Sequence, residues 1–237
     1  QGAENYSDLF YGEYITNEHL HIITPRQRQV KMTAWTPARV FIPYSITKAA
    51  YGRGLCVTQD MVDKFEAVER DGGGSITHAL PVDEAESQGI LNPQDPYNSQ
   101  VRDPRFYMDI IYHGRPIVNP ARNFDFSEGS EDLKAVKPEW DNKTGYYVGK
   151  FWSGGTKEND FATPYPCILL RLGEVYMNYA EAVYEAYGAG GSAPGASLSG
   201  LDAVNAIRER VGMPAVNQNP EGYSDFREYL HNERAVE

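Results

Sequence analysis

The chain has 237 residues, 22 Lys and Arg against 33 Asp and Glu, and a formal net charge of −11. That is length for one large domain or two small ones with a sizeable core. The acidity excludes a basic footprint for nucleic acid and disfavours an anionic membrane surface, and no apolar run reaches the roughly 20 residues a membrane span needs.

The opening "QGAENYSDLF" has no initiator Met, basic region or apolar targeting core, and the closing "FREYLHNERAVE" ends in a helical pattern without a stop signal. The chain is therefore expected to be a piece of a longer polypeptide. Residues 1–57 read as irregular, with Trp35, Phe41, Tyr44 and Tyr51 among prolines, while "EHLHIIT" has strand character. "TQDMVDKFEAVERDGGG" predicts a helix over about 58–71. Thr58 would cap it, Asp60 sits in the first turn, and Met61, Val62, Phe65 and Val68 give one apolar face.

Next, Pro93, Pro96 and Pro104 push "NPQDPYNSQVRDP" towards extended loop. "RFYMDIIYHGRPIV" alternates, with Phe106, Met108, Ile110 and Tyr112 on one side, which predicts a strand turned into a hairpin by "HGR". "GYYVGKFW" predicts another short strand.

After Pro164 the pattern becomes helical, with helices expected at about 165–187, 199–211 and 224–237. In the first, Arg171, Glu174, Asn178, Glu181 and Glu185 make one narrow polar stripe, and the rest of the circumference is apolar or small. Such a helix is expected to be covered on more than one side. Gly173 and Ala180 would allow close approach of a neighbour, and Arg208 or Arg210 would face the acidic stripe. Ser199 and Asp202 resemble a capping box, and Gly212 and Pro214 close the second helix. The fold class expected is mainly α: a tetratricopeptide-like helical-repeat (α/α superhelix) part at 161–237, and a loop-rich region with one helix and a few short strands at 1–160. The two are expected to form one unit, incomplete at both ends.

Little of this points to catalysis. "RDGGGS" follows a helix pattern instead of opening one, the reverse of a phosphate cradle, and reads as a flexible stop. His19 and His21 share a strand face, but no third metal ligand can be named. Cys56 and Cys167 form neither a disulfide framework nor a zinc site. No cofactor or metal is expected. Paired carboxylates for glycoside hydrolysis depend on their separation across a cleft, which sequence does not give. A glycoside hydrolase with an aromatic cleft thus stays as an alternative, as does a helical-repeat scaffold for a protein or peptide.

The unusual resource is aromatic: 17 Tyr, 9 Phe and 3 Trp, many in the irregular half. Aromatic faces carry partial negative charge and suit the C–H faces of sugar rings, and rings on loops over a rigid frame suit ligand capture. Trp35, Tyr44 and Tyr51 are the candidate stacking rings, Arg39 a candidate hydroxyl partner, and Trp140 a second-rank ring.

Several stretches together resemble the SusD/RagB family of outer-membrane nutrient-binding lipoproteins. They are "TQDMVDKFEAVERDGG", "NPQDPYNSQVRDPRFYMDIIYHG", "GYYVGKFW", "YPCILLRLGEVYMNYAEAVYEAYG" with "LDAVNAIRERVGMP", and "FREYLHNERAVE". The match runs from about residue 55 to the end. The resemblance implies a non-catalytic protein on the outer face of a Gram-negative outer membrane, held there by an N-terminal lipid absent from this chain. It would capture glycans, or sometimes peptides, and pass them to a SusC-like TonB-dependent transporter. The matched motifs are structural, so no binding residue follows from them.

Overall fold

The computed structural model describes residues 6, 9–10, 17–23, 43–47, 56–97, 101–117, 122–135, 137–150 and 167–237. Backbone pairing begins with β1 (His19–Ile23) and, in the helical half, β8 (Cys167–Arg171), which run antiparallel with Ile22 opposite Ile168 and His19 opposite Arg171. Between them come α1 (Tyr44–Thr47), α2 (Gln59–Asp63), β2 (Ala67–Arg70), β3 (Ile76–Leu80), α3 (Val82–Ser87) and α4 (Pro104–Asp109). Four two-residue strands follow: β4 (Ile110–Ile111), β5 (Pro116–Ile117), β6 (Arg122–Asn123) and β7 (Tyr147–Val148). The described residues end in three helices, α5 (Leu172–Tyr187), α6 (Gly200–Arg210) and α7 (Phe226–Val236).

The helix expected over about 58–71 exists only as α2. Thr58 caps it as expected, accepting from Met61 N. Beyond Phe65 the backbone turns to other partners: Val68 N donates to Val101 O, Asp103 N to Glu66 O, and β2 pairs with β3. Met61, Val62, Phe65 and Val68 are apolar at a spacing that a helix and a bent helix–strand junction both satisfy. Pairing with residues 76–80 and 101–103 decides for the junction. "RDGGGS" is consequently a hairpin turn and not a helix stop. Asp71 Oδ1 accepts from the backbone N–H of Gly73 and of Ser75, and Gly74 takes φ +87°.

The expected Phe106–Tyr112 strand is also corrected. Asp103 caps a short helix, accepting from Arg105 N, and Pro104 occupies its first turn, where a missing N–H costs nothing. Only Ile110 and Ile111 are strand, paired with Val148 and Tyr147 of the expected "GYYVGKFW" strand. "HGR" does turn the chain, Arg115 N bonding Tyr112 O, into the β5–β6 pair.

In the helical half, Cys167–Arg171 are strand and not part of the helix expected from about 165, because β1 satisfies their backbone groups. The capping box at the start of α6 forms as expected: Asp202 N donates to Ser199 Oγ at 3.0 Å, and Ser199 N to the Asp202 carboxylate at 3.3 Å. Met177 and Ala180 of α5 pack with Ala203, Val204 and Ile207 of α6 and with Phe226, Tyr229 and Leu230 of α7. A Cβ on Gly200 would lie 3.1 Å from the Ala180 carbonyl, so glycine there permits the close crossing of α5 and α6. Gly173 serves differently from expectation: it makes room for the Glu237 and Glu18 carboxylates, not for a helix.

The acidic stripe is not met by Arg208 or Arg210. Arg227 and Arg234, both on α7, pair with Glu185 at 2.7 Å and Glu181 at 2.9 Å. Nor is α5 covered on both flanks. Gly173, Met177, Ala180 and Val183 form its one buried face, while Leu172, Val175 and Tyr187 stand exposed at 37%, 40% and 54%. These are helices packed side by side, α5 against α6 and α7.

Arg208 and Arg210 are spent on a buried ionic seam. Arg208 Nη1 lies 2.8 Å from Glu66 and 3.0 Å from Glu233, and Arg105 joins Asp103 and Glu233, each at 2.7 Å. Arg171 and Arg210 converge on Glu18 and Glu237. The seam ties Glu66, just before β2, to α4, α6 and α7, and Val236 packs beside Val62, Phe65 and Phe106, so the two halves of the chain share a core.

Candidate functional site

Three helices meet around a cleft of about 550 Å³: α2, α3 and the middle of α7, with Gly222 and Tyr223 at its base. Glycine at 222 is required twice over. Its φ is +78°, and a Cβ would lie 2.5 Å from Pro81 Cδ, so the chain passes close enough to close the floor.

Side chains along the walls are held in place from behind. Gln59 Nε2 donates to Asp63 Oδ1 at 2.7 Å, one helical turn on, and Tyr146 OH donates to Gln59 Oε1 at 2.9 Å. Tyr146 in turn meets the Tyr97 hydroxyl, so a hydrogen-bonded line runs from the aromatic core to the cleft. Behind it, Phe106 and Tyr112 stack with centroids 5.0 Å apart, and Tyr97 lies 5.2 Å from Tyr112. Burial holds the Tyr146 hydroxyl protonated well above its ordinary range, with the Tyr97 hydrogen bond adding to the effect. On α7, Asn232 Nδ2 donates to Lys64 O at 2.8 Å, which fixes the amide and the end of α2 together.

Tyr223 turns its hydroxyl inward to Glu66 Oε1 at 3.1 Å, leaving the ring as its contribution to the cleft wall. Burial and then the Glu66 carboxylate push that hydroxyl far above the ordinary tyrosine range. The remaining polar groups are mostly acidic: Asp60, Asp63, Asp83, Glu86 and Glu228, against Lys64. Glu228 accepts from Ser224 N at 2.7 Å, and this backbone donor lowers its carboxyl below the usual glutamate range. Asp60, Asp83 and Glu86 are exposed. The arrangement offers carboxylate acceptors, Asp63 and Glu228 among them held by hydrogen bonds, with two amides and Tyr223 in an open trough. Among the described residues, no three His, Cys, Asp or Glu side chains stand as a metal-binding group, and His19 Nε2 is 2.8 Å from the Leu9 carbonyl.

Of the residues the sequence proposes as ligand contacts, Trp35, Arg39 and Tyr51 lie outside the described residues, and Tyr44 opens α1. Trp140 ends a 3₁₀ turn, Pro138–Trp140, away from the cleft lining, and Lys137 Nζ sits 4.8 Å from its ring centroid. A cation already occupies one face of that ring. The cleft residues were not singled out from sequence. The four-residue spacing of Gln59 to Asp63 and of Glu228 to Asn232 was visible, but which helix faces share a trough is set by the seam.

The model of the SusD family matches residues 22–237. The chain belongs to the SusD family. In this SusD-family chain the "RDPRF" and "IRER" stretches supply Asp103, Arg105, Arg208 and Arg210 to the seam, and Arg102 is buried beside them, donating to Val62 O. A SusD-like protein from Bacteroides fragilis, BF3747, shares its fold at a TM-score of 0.63 and 24% identity, over 99% of this chain and 44% of that one. A second solved structure, BT4246, matches at a TM-score of 0.57 and 22% identity, over 92% of this chain and 37% of that one. The chain therefore spans less than half the length of these relatives. No curated protein matches it.

Proposed function

We propose that this protein binds glycans at the cell surface for nutrient uptake and delivers them to a SusC-like TonB-dependent transporter in the outer membrane. The observation that carries this reading is the family match over residues 22–237. The full-length protein would be held to the membrane by an N-terminal lipid. No helix among the described residues is long and apolar enough to cross a membrane. Binding would be non-catalytic, with aromatics such as Trp35, Tyr44 and Tyr51 stacking on sugar rings, Arg39 bonding hydroxyls, and Trp140 as a further ring. The irregular half and the helices at 161–237 would act as one unit, since the ionic seam joins them.

A broad glycan array probed with the full-length protein tests the binding, and affinity capture of a TonB-dependent transporter tests the delivery. The expected outcome is saturable glycan binding without release of reducing ends. Bulk release of reducing ends would instead establish the glycoside hydrolase alternative.

A further inference from the structure

We propose that the cleft between α2, α3 and α7 is a subsite for uncharged sugar residues that turns away acidic glycans; this rests on the glycan-binding reading above. The cleft is preformed: Gly222 and Pro81 close its floor, the Tyr146–Gln59–Asp63 line fixes one wall, and Asn232 is tied to the end of α2. A fixed site loses less freedom when it is filled.

Its chemistry matches a sugar in three respects. Carboxylates accept two hydrogen bonds side by side, as neighbouring ring hydroxyls can donate them, and a charged acceptor strengthens each bond. Lys64 and the amides supply donors for the same hydroxyls as acceptors. Tyr223, Pro81 and Val82 supply the apolar part of the lining, against which the C–H face of a sugar can pack. An open trough also lets water bridge the contacts that fall short.

Selectivity follows from charge. Five carboxylates line the trough against one lysine, so a uronate or sulfate entering it meets like charge at short range. Repulsion of that kind is a specificity device that leaves neutral ligands untouched. It is screened by salt, because most of these groups are exposed.

The test is calorimetric titration of the full-length protein with maltohexaose, cellohexaose and mannohexaose, and with hexagalacturonate as the acidic counterpart. At least one neutral hexamer should bind, with hexagalacturonate at least about tenfold weaker at low salt. The double variant Asp60→Ala with Glu86→Ala, both at exposed positions, should weaken the neutral hexamer about tenfold, with the melting temperature lowered by no more than about 4 °C through the lost first-turn charge of α2. Asp60→Lys with Glu86→Lys should narrow the gap to hexagalacturonate. Hexagalacturonate binding as tightly as the neutral hexamers, no binding of any neutral hexamer, or no response to either double variant would overturn the subsite. If the array still reports glycan binding in those cases, the subsite falls and the glycan-binding function stands. If the array reports none, both fall.

Discussion

Arg105 and Glu233 lie 128 residues apart in sequence, yet Nη1 and Oε1 meet at 2.7 Å with both side chains at most 2% exposed. Glu233 also holds Arg208, so one carboxylate bridges Arg105 of "RDPRF" and Arg208 of "IRER". Glu233→Ala leaves two buried guanidinium groups short of a counter-charge. Breaking a buried pair in this way costs about 3–5 kcal/mol. Asp103 and Glu66 remain as partners, which places the expected loss near the lower end. Urea denaturation of the purified protein measures it, and a loss under about 1 kcal/mol would show that the seam is not what joins the two halves.

The same carboxylate gives an acid-stability prediction with a fixed sign. Burial alone would raise its pKa, but Arg105 and Arg208 bring it down to about 2 from the ordinary 4.5. A carboxylate depressed in the folded state contributes stability that is fully present above about 4.5 and is lost as pH falls towards 2. Glu66 acts in the opposite direction, since burial raises its pKa despite Arg208, and it takes up a proton first on acidification. Stability should therefore fall most steeply in the lower part of the window, and Glu233→Gln should flatten that fall. Equal slopes for the two proteins between pH 4.5 and 2 would refute the assignment.

The helices of the C-terminal half were legible in the sequence because their signals are local. Ser199 and Asp202 form the capping box that their spacing proposes, and Gly212 terminates α6 at φ +77°. Residues 64–71 were misread because their apolar spacing is ambiguous and their backbone partners lie at 76–80 and 101–103. Arg105 and Glu233 could not be paired in advance, since nothing local to either residue names a partner so far along the chain. The two apolar sides of α5 were legible as well, but only the one facing α6 and α7 is covered here. The cleft was invisible in sequence for the same reason as the seam: each wall is an ordinary polar helix face until the three helices are brought together.

Trp140 remains a candidate ring with Lys137 over one face at 4.8 Å. A cation over a ring at the surface is worth about 0.5–1 kcal/mol, which a sugar stacking on that same face has to displace. Lys137→Ala should raise glycan affinity about two- to fivefold if Trp140 is a stacking ring. Titration followed by tryptophan fluorescence reads both affinity and ring environment, and an unchanged affinity would remove the Lys137-covered face of Trp140 from the binding surface.

Gly222→Ala tests the floor of the cleft. The left-handed backbone disfavours any side chain there, and the added methyl would meet Pro81 Cδ at 2.5 Å. The expected loss is about 1–3 kcal/mol, seen as a melting temperature lower by about 2–4 °C for each kcal/mol. Glycan affinity should fall along with it, because relief of the clash moves α3 away from the base of the cleft. A variant as stable as the parent would mean that the backbone at 222 is free to relax.

His78 supplies the last prediction. Its Nδ1 lies 3.1 Å from Glu69 Oε2 and its Nε2 lies 3.1 Å from Glu221 Oε2, which links the β2–β3 hairpin to the loop before α7. A neutral imidazole carries a single N–H, so only the imidazolium donates to both carboxylates. Burial opposes the charge, but hydrogen bonds to Glu69 and Glu221 outweigh it and raise the pKa above the ordinary 6.5. A histidine raised in the folded state contributes stability that is fully present below about 6.5 and is lost as pH rises through the folded value. Titration of the His78 ring by NMR should give a pKa above 6.5, and His78→Gln should remove the corresponding decline in thermal stability on the alkaline side. A ring that titrates at or below 6.5 would mean that the two carboxylates do not clasp it in solution.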